Sequence, residues 1–187
     1  SFGEAGRIGK NATYFTSINS SELANYRKFA LLGDPALTPN FPEYFVAVDS
    51  ITDVALDVPA DTIKALGAYR VSGHVHNADG ALLSDFNGVL SASIFDKPRT
   101  INTITTANKS FKLQDNLVYK GKVSVTGGKY TYTFIAPKDI NYNYGTGKIS
   151  SYAQNGVTDG AGADTSVTIG GFSDNPVYSD AAPIVKA

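Results

Sequence analysis

From Tyr44 onward, apolar residues return at every second position in short runs, and each run stops at Gly, Asn, Asp or Pro. A period of two sends successive side chains to opposite faces, so such a run buries one face and wets the other only as a β-strand. The clearest run sets Tyr69, Val71, Gly73 and Val75 against Arg70, Ser72, His74 and His76, and Asn77-Ala78-Asp79-Gly80 then supplies its turn. Val89–Phe95 sets Leu90, Ala92 and Ile94 against Ser91 and Ser93. Leu117–Val125 puts Leu117, Tyr119, Val123 and Val125 on one face, with Lys120, Lys122 and Ser124 on the other. Gly127-Gly128 reads as a two-residue hairpin turn into Lys129–Ile135. Tyr44–Asp49, Gly147–Gln154 and Ser166–Gly170 read as further strands, while Pro59 bars a central strand from Ser50–Ala65.

Short strands separated by turn residues, with no helical period between them, disfavour a parallel βαβ layout and predict an antiparallel sandwich. The fold class expected is mainly β, an immunoglobulin-like antiparallel β-sandwich with a short N-terminal helix. Residues 1–43 differ in texture. Asn19 with Glu22 resembles a capping box, Leu23, Tyr26 and Ala30 follow at helical spacing, and Gly33 with Asp34-Pro35 forbids continuation. One helix is therefore expected near 20–32, followed by an irregular crossing segment. Leu31, Leu32 and the apolar residues of Leu37–Phe41 are expected to pack and fix the angle to the sandwich. The sandwich is assigned to 44–178 and a linker tail to 179–187, with 1–43 as the preceding element and connector.

The 187 residues suit one domain with an appendage, and a hydrophobic fraction of 42% is enough for a core. Sixteen Lys and Arg against seventeen Asp and Glu leave a net charge of −1. That balance gives no footprint for nucleic acid. No apolar run approaches the roughly 20 residues of a membrane-spanning helix. Cysteine is absent, so the chain carries no disulfide, no thiolate metal site and no cysteine nucleophile. Methionine is absent too, even at position 1, which is expected of an excised piece or a mature fragment.

Few residues suggest chemistry. His74 and His76 share a strand face, as a zinc pair would need, but a third ligand must come from elsewhere, and Arg70 and Ser72 mark that face as solvated. Asp159, Asp164 and Asp174, with Asp180, lie in a stretch read as a loose acidic loop whose carboxylates and carbonyls would suit calcium. Their spacing does not match an EF-hand, and solvated turns account for the same residues. The sequence requires no cofactor, and calcium is the one that these carboxylates would suit. Tyr130, Tyr132 and Phe134 alternate and are assigned to the core. Tyr142 and Tyr144, in the loop-like Asn141–Gly145, are the binding candidates, because exposed tyrosines stack on sugars or anchor protein partners. No nucleophile elbow, phosphate loop or zinc-protease motif occurs.

Several stretches resemble a known family. Phe29-Ala30-Leu31-Leu32-Gly33-Asp34-Pro35-Ala36-Leu37 resembles the signature that closes the catalytic region of gingipain-type cysteine peptidases. Ser84–Gly88, Phe95-Asp96-Lys97, Phe111–Asn116, Tyr119–Lys122, Ala136–Ile140 and Tyr144–Ile149 look like the β domain that follows in the sortase-like, PorU-type branch. The resemblance implies a secreted parent on the bacterial outer-membrane surface, in a Bacteroidetes type IX secretion system, that removes C-terminal signals from cargo. The family's catalytic Cys and His lie upstream, and no position here matches them. The fragment would then be a non-catalytic scaffold or interaction domain, with the upstream peptidase domain as its partner and other secretion-system components as further ones. The alternative is an adhesion or glycan-binding module using exposed tyrosines.

Overall fold

The computed structural model describes residues 1–15, 28, 30–104 and 109–178. Two compact units divide the chain, Ser1–Phe41 and Pro42–Ala187. The 179–187 tail and Asp180 lie outside the described residues.

The first unit holds a helix, α1 (Phe2–Phe15), that the sequence reading did not anticipate. Gly3, Gly6 and Gly9 hide it, since each disfavours a helix interior by about 1 kcal/mol relative to Ala. Its start was nonetheless written in the chain. Ser1 Oγ accepts the Glu4 N–H at 3.3 Å, as an N-cap does. The Phe2 and Gly3 N–H groups donate to the carbonyls of Leu37 and Pro35, both at 2.9 Å. Asp34 shapes that segment by accepting from the Ala36 N–H at 2.8 Å. Most of the helix expected over 20–32 falls outside the described residues. Lys28 is helical, but Ala30–Leu32 are not, so any helix stops before Ala30. Leu31, Leu32, Leu37 and Phe41 are exposed, Leu32 at 95%.

The second unit is mainly β. Its strands are β1 (Tyr44–Asp53), β2 (Val58–Pro59), β3 (Thr62–Ala65), β4 (Ala68–His76), β5 (Gly88–Phe95), β6 (Arg99–Asn102), β7 (Ser110–Leu113), β8 (Leu117–Val125), β9 (Lys129–Ile135), β10 (Gly145–Thr146), β11 (Lys148–Gln154), β12 (Asp159–Asp164) and β13 (Thr168–Phe172). The main sheet runs β8-β5-β11-β12-β1-β4-β9, with β2 beside β1. A small sheet, β10-β13-β3, and a ribbon, β6-β7, complete the unit. All main-sheet pairings are antiparallel except β1 with β12, which is parallel and only two residues long. The sheet curls into a nearly closed barrel-like form consistent with a β-sandwich.

The β8–β9 connection differs from the expected hairpin. Gly127 and Gly128, at φ 57° and 73°, do make the tight turn. Yet the two strands share only the Thr126–Lys129 bridge. Each then leaves for another partner, β8 for β5 and β9 for β4. Aromatic rings fill the seam in place of a ladder. Tyr119 of β8 stacks on Tyr132 of β9 at 5.1 Å, with Phe134 also 5.1 Å from Tyr119. Tyr130, Tyr132 and Phe134 are buried, as their alternation implied.

Two further expectations are corrected. Leu117 is exposed and Val118 buried, because the β5–β8 register shifts between Ile94 and Phe95 and turns Val118 inward. The stretch Asp159–Asp164, read as a loose loop, is the central strand β12 between β11 and β1. Its small residues are what the site needs. A Cβ on Gly162 would lie 1.8 Å from the Val46 carbonyl oxygen, so only glycine lets the two backbones approach this closely.

Candidate interaction surface

Strand β5 ends at Phe95, and the next two residues bury opposite charges. Asp96 is 1% exposed. Its Oδ1 accepts from the Lys97 N–H at 2.8 Å and from Lys97 Nζ at 2.6 Å. Its Oδ2 accepts from the Asn141 N–H at 2.9 Å and Asn116 Nδ2 at 3.3 Å. Lys97 Nζ also donates to the carbonyls of Asn141 at 2.8 Å and Ile169 at 3.0 Å, so all three ammonium hydrogens are engaged. Burial alone would raise the Asp96 carboxyl, but the bonds from Lys97 and the Asn141 N–H outweigh it and hold it below the usual aspartate value.

This node fixes the loop that carries Tyr142 and Tyr144. Ile140, 5% exposed, plugs the loop into the core. Asn141 is held through both its N–H and its carbonyl, and its Oδ1 accepts the Asn143 N–H at 3.0 Å. The Gly171 N–H of β13 donates to the Tyr142 carbonyl at 2.8 Å. Tyr142 Oη donates to the Lys138 carbonyl at 2.7 Å, which orients its ring. Tyr142 is 48% exposed and Tyr144 66%. The Tyr144 hydroxyl lies over Gly171, where a Cβ would come within 2.5 Å of it. The result is a pair of aromatic side chains on an ordered loop, a pre-set surface rather than a cleft for chemistry.

Charged groups flank it. Arg99 Nε and a terminal guanidinium nitrogen donate to the two oxygens of Asp115 at 2.9 and 2.8 Å, a bidentate pair at the root of the β6–β7 ribbon. The hydrogen bond from Arg99 lowers the Asp115 carboxyl. Asp96, Lys97, Arg99, Asp115, Asn116 and Asn141 border an open depression beside the loop.

The three acidic residues considered for calcium are not brought together. Asp159 and Asp164 stand at opposite ends of β12, five residues apart, so they face opposite sides and lie roughly 17 Å from each other. Asp159 accepts from Tyr152 Oη at 2.8 Å, and Asp164 from the Ser166 N–H at 2.7 Å and hydroxyl at 2.6 Å. Asp174 pairs with Lys64 at 3.2 Å, and that hydrogen bond raises the lysine. The sequence reading did not single out Asp96 and Lys97 as a site. A charged pair next to each other in sequence reads as a solvated turn, and only the Pro98 that follows hinted at a fixed backbone.

No protein-family model matches the chain, and no curated protein does. Among solved structures, a β-glucosidase from Listeria innocua matches at 16% identity over 71% of this chain and 16% of that one, with a TM-score of 0.30, too low to carry an argument. Dimeric latent PorU from Porphyromonas gingivalis matches at 24% identity and a TM-score of 0.62. That match covers 96% of this chain and 17% of the PorU chain, so this chain shares its fold with a segment of a much longer protein.

Proposed function

We propose that this chain is the non-catalytic β-sandwich segment of a secreted, cell-surface, PorU-like cysteine peptidase, acting as a scaffold or interaction domain. The observation that carries the reading is the likeness to one segment of PorU across 96% of the chain. The absence of any cysteine in the sequence agrees with a supporting role. The upstream peptidase domain is the first partner, engaged by the ordered tyrosine loop and its charged flank. Type IX secretion and C-terminal signal processing are the parent's proposed context, at the bacterial outer-membrane surface.

The test is to produce the region encoded upstream of Ser1 and measure its binding to this chain. A Cys/His pair in that region, with binding weakened at least tenfold by Tyr142→Ala with Tyr144→Ala, supports the reading. An upstream region without such a pair overturns it.

Adhesion or glycan binding is the second reading, favoured by the 66% exposure of Tyr144. Saccharide-array binding lost in the same double variant would select it.

A further inference from the structure

The only two histidines of the chain are His74 and His76, one residue apart on the outer face of β4. His74 Nδ1 lies 2.8 and 3.0 Å from the two oxygens of Asp49, on the neighbouring strand β1. His76 Nδ1 lies 2.7 Å from the Asn77 carbonyl oxygen. A carboxylate and a carbonyl only accept, so each Nδ1 carries the hydrogen, and the lone pair of each neutral ring sits on Nε2. Neither Nε2 has a hydrogen-bond partner among the described residues. This is how metal-ligating histidines are prepared: one nitrogen fixed by an oxygen acceptor, the other left open.

The ring spacing comes close to what a shared ion requires. The two ring centres are 5.3 Å apart, with planes inclined at 46°. Metal–nitrogen bonds of about 2.0–2.1 Å, plus about 1.1 Å from nitrogen to ring centre, put two rings sharing one ion at 90–109° about 4.5–5.2 Å apart. Phe45 of β1 stacks on His76 at 5.6 Å and backs that ring. Among the described residues the cation in register with the pair is Lys129, opposite His74 on β9; it is exposed and can turn its ammonium into solvent. Asp49 supplies the compensating negative charge.

We infer that His74 and His76 form a two-imidazole site for a late first-row divalent ion (nickel, copper or zinc). Asp49 is the orienting residue behind His74. No group of three His, Cys, Asp or Glu gathers among the described residues, so water completes the coordination and the ion exchanges freely. Imidazole ligation sets the preference, with copper bound more tightly than nickel or zinc and magnesium, an oxygen-seeking ion, not bound.

The experiment titrates the full chain with Ni²⁺, Zn²⁺ and Mg²⁺ by calorimetry, and follows both imidazole rings by NMR during Cu²⁺ addition. Expected are saturable Ni²⁺ and Zn²⁺ binding, no Mg²⁺ response and broadening of both rings at the same copper concentration. His74→Gln and His76→Gln each weaken Ni²⁺ binding at least tenfold. Asp49→Asn weakens it by about 10–100-fold, the usual effect of losing a ligand's orienting partner. Unchanged Ni²⁺ affinity in the double His74→Gln, His76→Gln variant overturns the assignment. So does copper broadening of one ring alone, a readout on the parent chain that does not depend on any variant folding.

Discussion

Lys97 reaches back to the residue before it: its Nζ lies 2.6 Å from Oδ1 of Asp96, and the pair is shut between the end of β5 and the tyrosine loop. The side chains are 11% and 2% exposed. Removing one partner of a buried pair leaves the other charged and unsolvated. Lys97→Met should therefore cost about 3–5 kcal/mol. Urea denaturation would read this as a lower midpoint with an unchanged slope. A loss below 1 kcal/mol would mean that the pair does not anchor the loop.

The same node sets an acid response. Asp96 titrates lower in the folded chain than in the unfolded one, so its contribution is complete above the unfolded aspartate value of about 3.9 and is lost as pH falls through the lower folded value. Asp96→Asn should be less stable than the parent at pH 6. The difference should shrink on acidification below about pH 4. Stability curves that stay parallel down to pH 2 would contradict this.

How much was legible varied with how a residue earns its position. Strand β4 was visible because its inward residues, Tyr69, Val71 and Val75, are large enough to mark the buried face. Strand β12 was hidden because Gly160 and Gly162 let the β1 backbone approach closely, a reason that leaves no apolar pattern. The Gly127-Gly128 turn was readable, whereas the partners of its two strands depend on how the whole sheet curls. At the candidate surface, Tyr142 and Tyr144 stood out by loop composition. The node beneath them did not, because burial of Asp96 and Lys97 comes from segments 20 to 72 residues distant.

Gly162→Ala tests the account of β12. The added methyl would stand 1.8 Å from the Val46 carbonyl oxygen, so β1 and β12 must separate where they already pair for only two residues. Overpacking of this kind costs about 1–3 kcal/mol, and backbone cannot rotate away as a side chain does. Hydrogen exchange should accelerate in Tyr44–Val46 and Gly160–Gly162 relative to β4. Unchanged exchange in those segments would show that the sheet has slack there.

Gly6→Ala makes the opposite prediction in the first unit. Among the described residues nothing lies within 4 Å of a Cβ built at Gly6, and the position is exposed. Alanine should stabilise α1 by about 1 kcal/mol through helix propensity and lower unfolded-chain entropy. Helical circular dichroism of the full chain should melt at higher temperature in Gly6→Ala. An unchanged or earlier melt would indicate that α1 needs its glycine for contact.

Two neighbouring tyrosines in the core separate the worth of a hydrogen bond from the worth of a ring. Tyr130 Oη donates to the Ala47 carbonyl at 2.8 Å, whereas the buried Tyr132 Oη has no partner among the described residues. Both rings are buried, and burial raises both phenols far above their ordinary value, so neither ionises at accessible pH. Replacing Tyr130 by Phe removes one of the hydrogen bonds that the Ala47 carbonyl accepts and should cost about 1 kcal/mol. Replacing Tyr132 by Phe removes a buried hydroxyl that gains nothing, while the ring keeps its 5.1 Å stack on Tyr119. That change should be neutral or stabilising by up to about 1 kcal/mol. Equilibrium unfolding of both variants against the parent decides the matter. A loss at Tyr132→Phe as large as at Tyr130→Phe would mean that a partner, such as an internal water, satisfies the Tyr132 hydroxyl in solution.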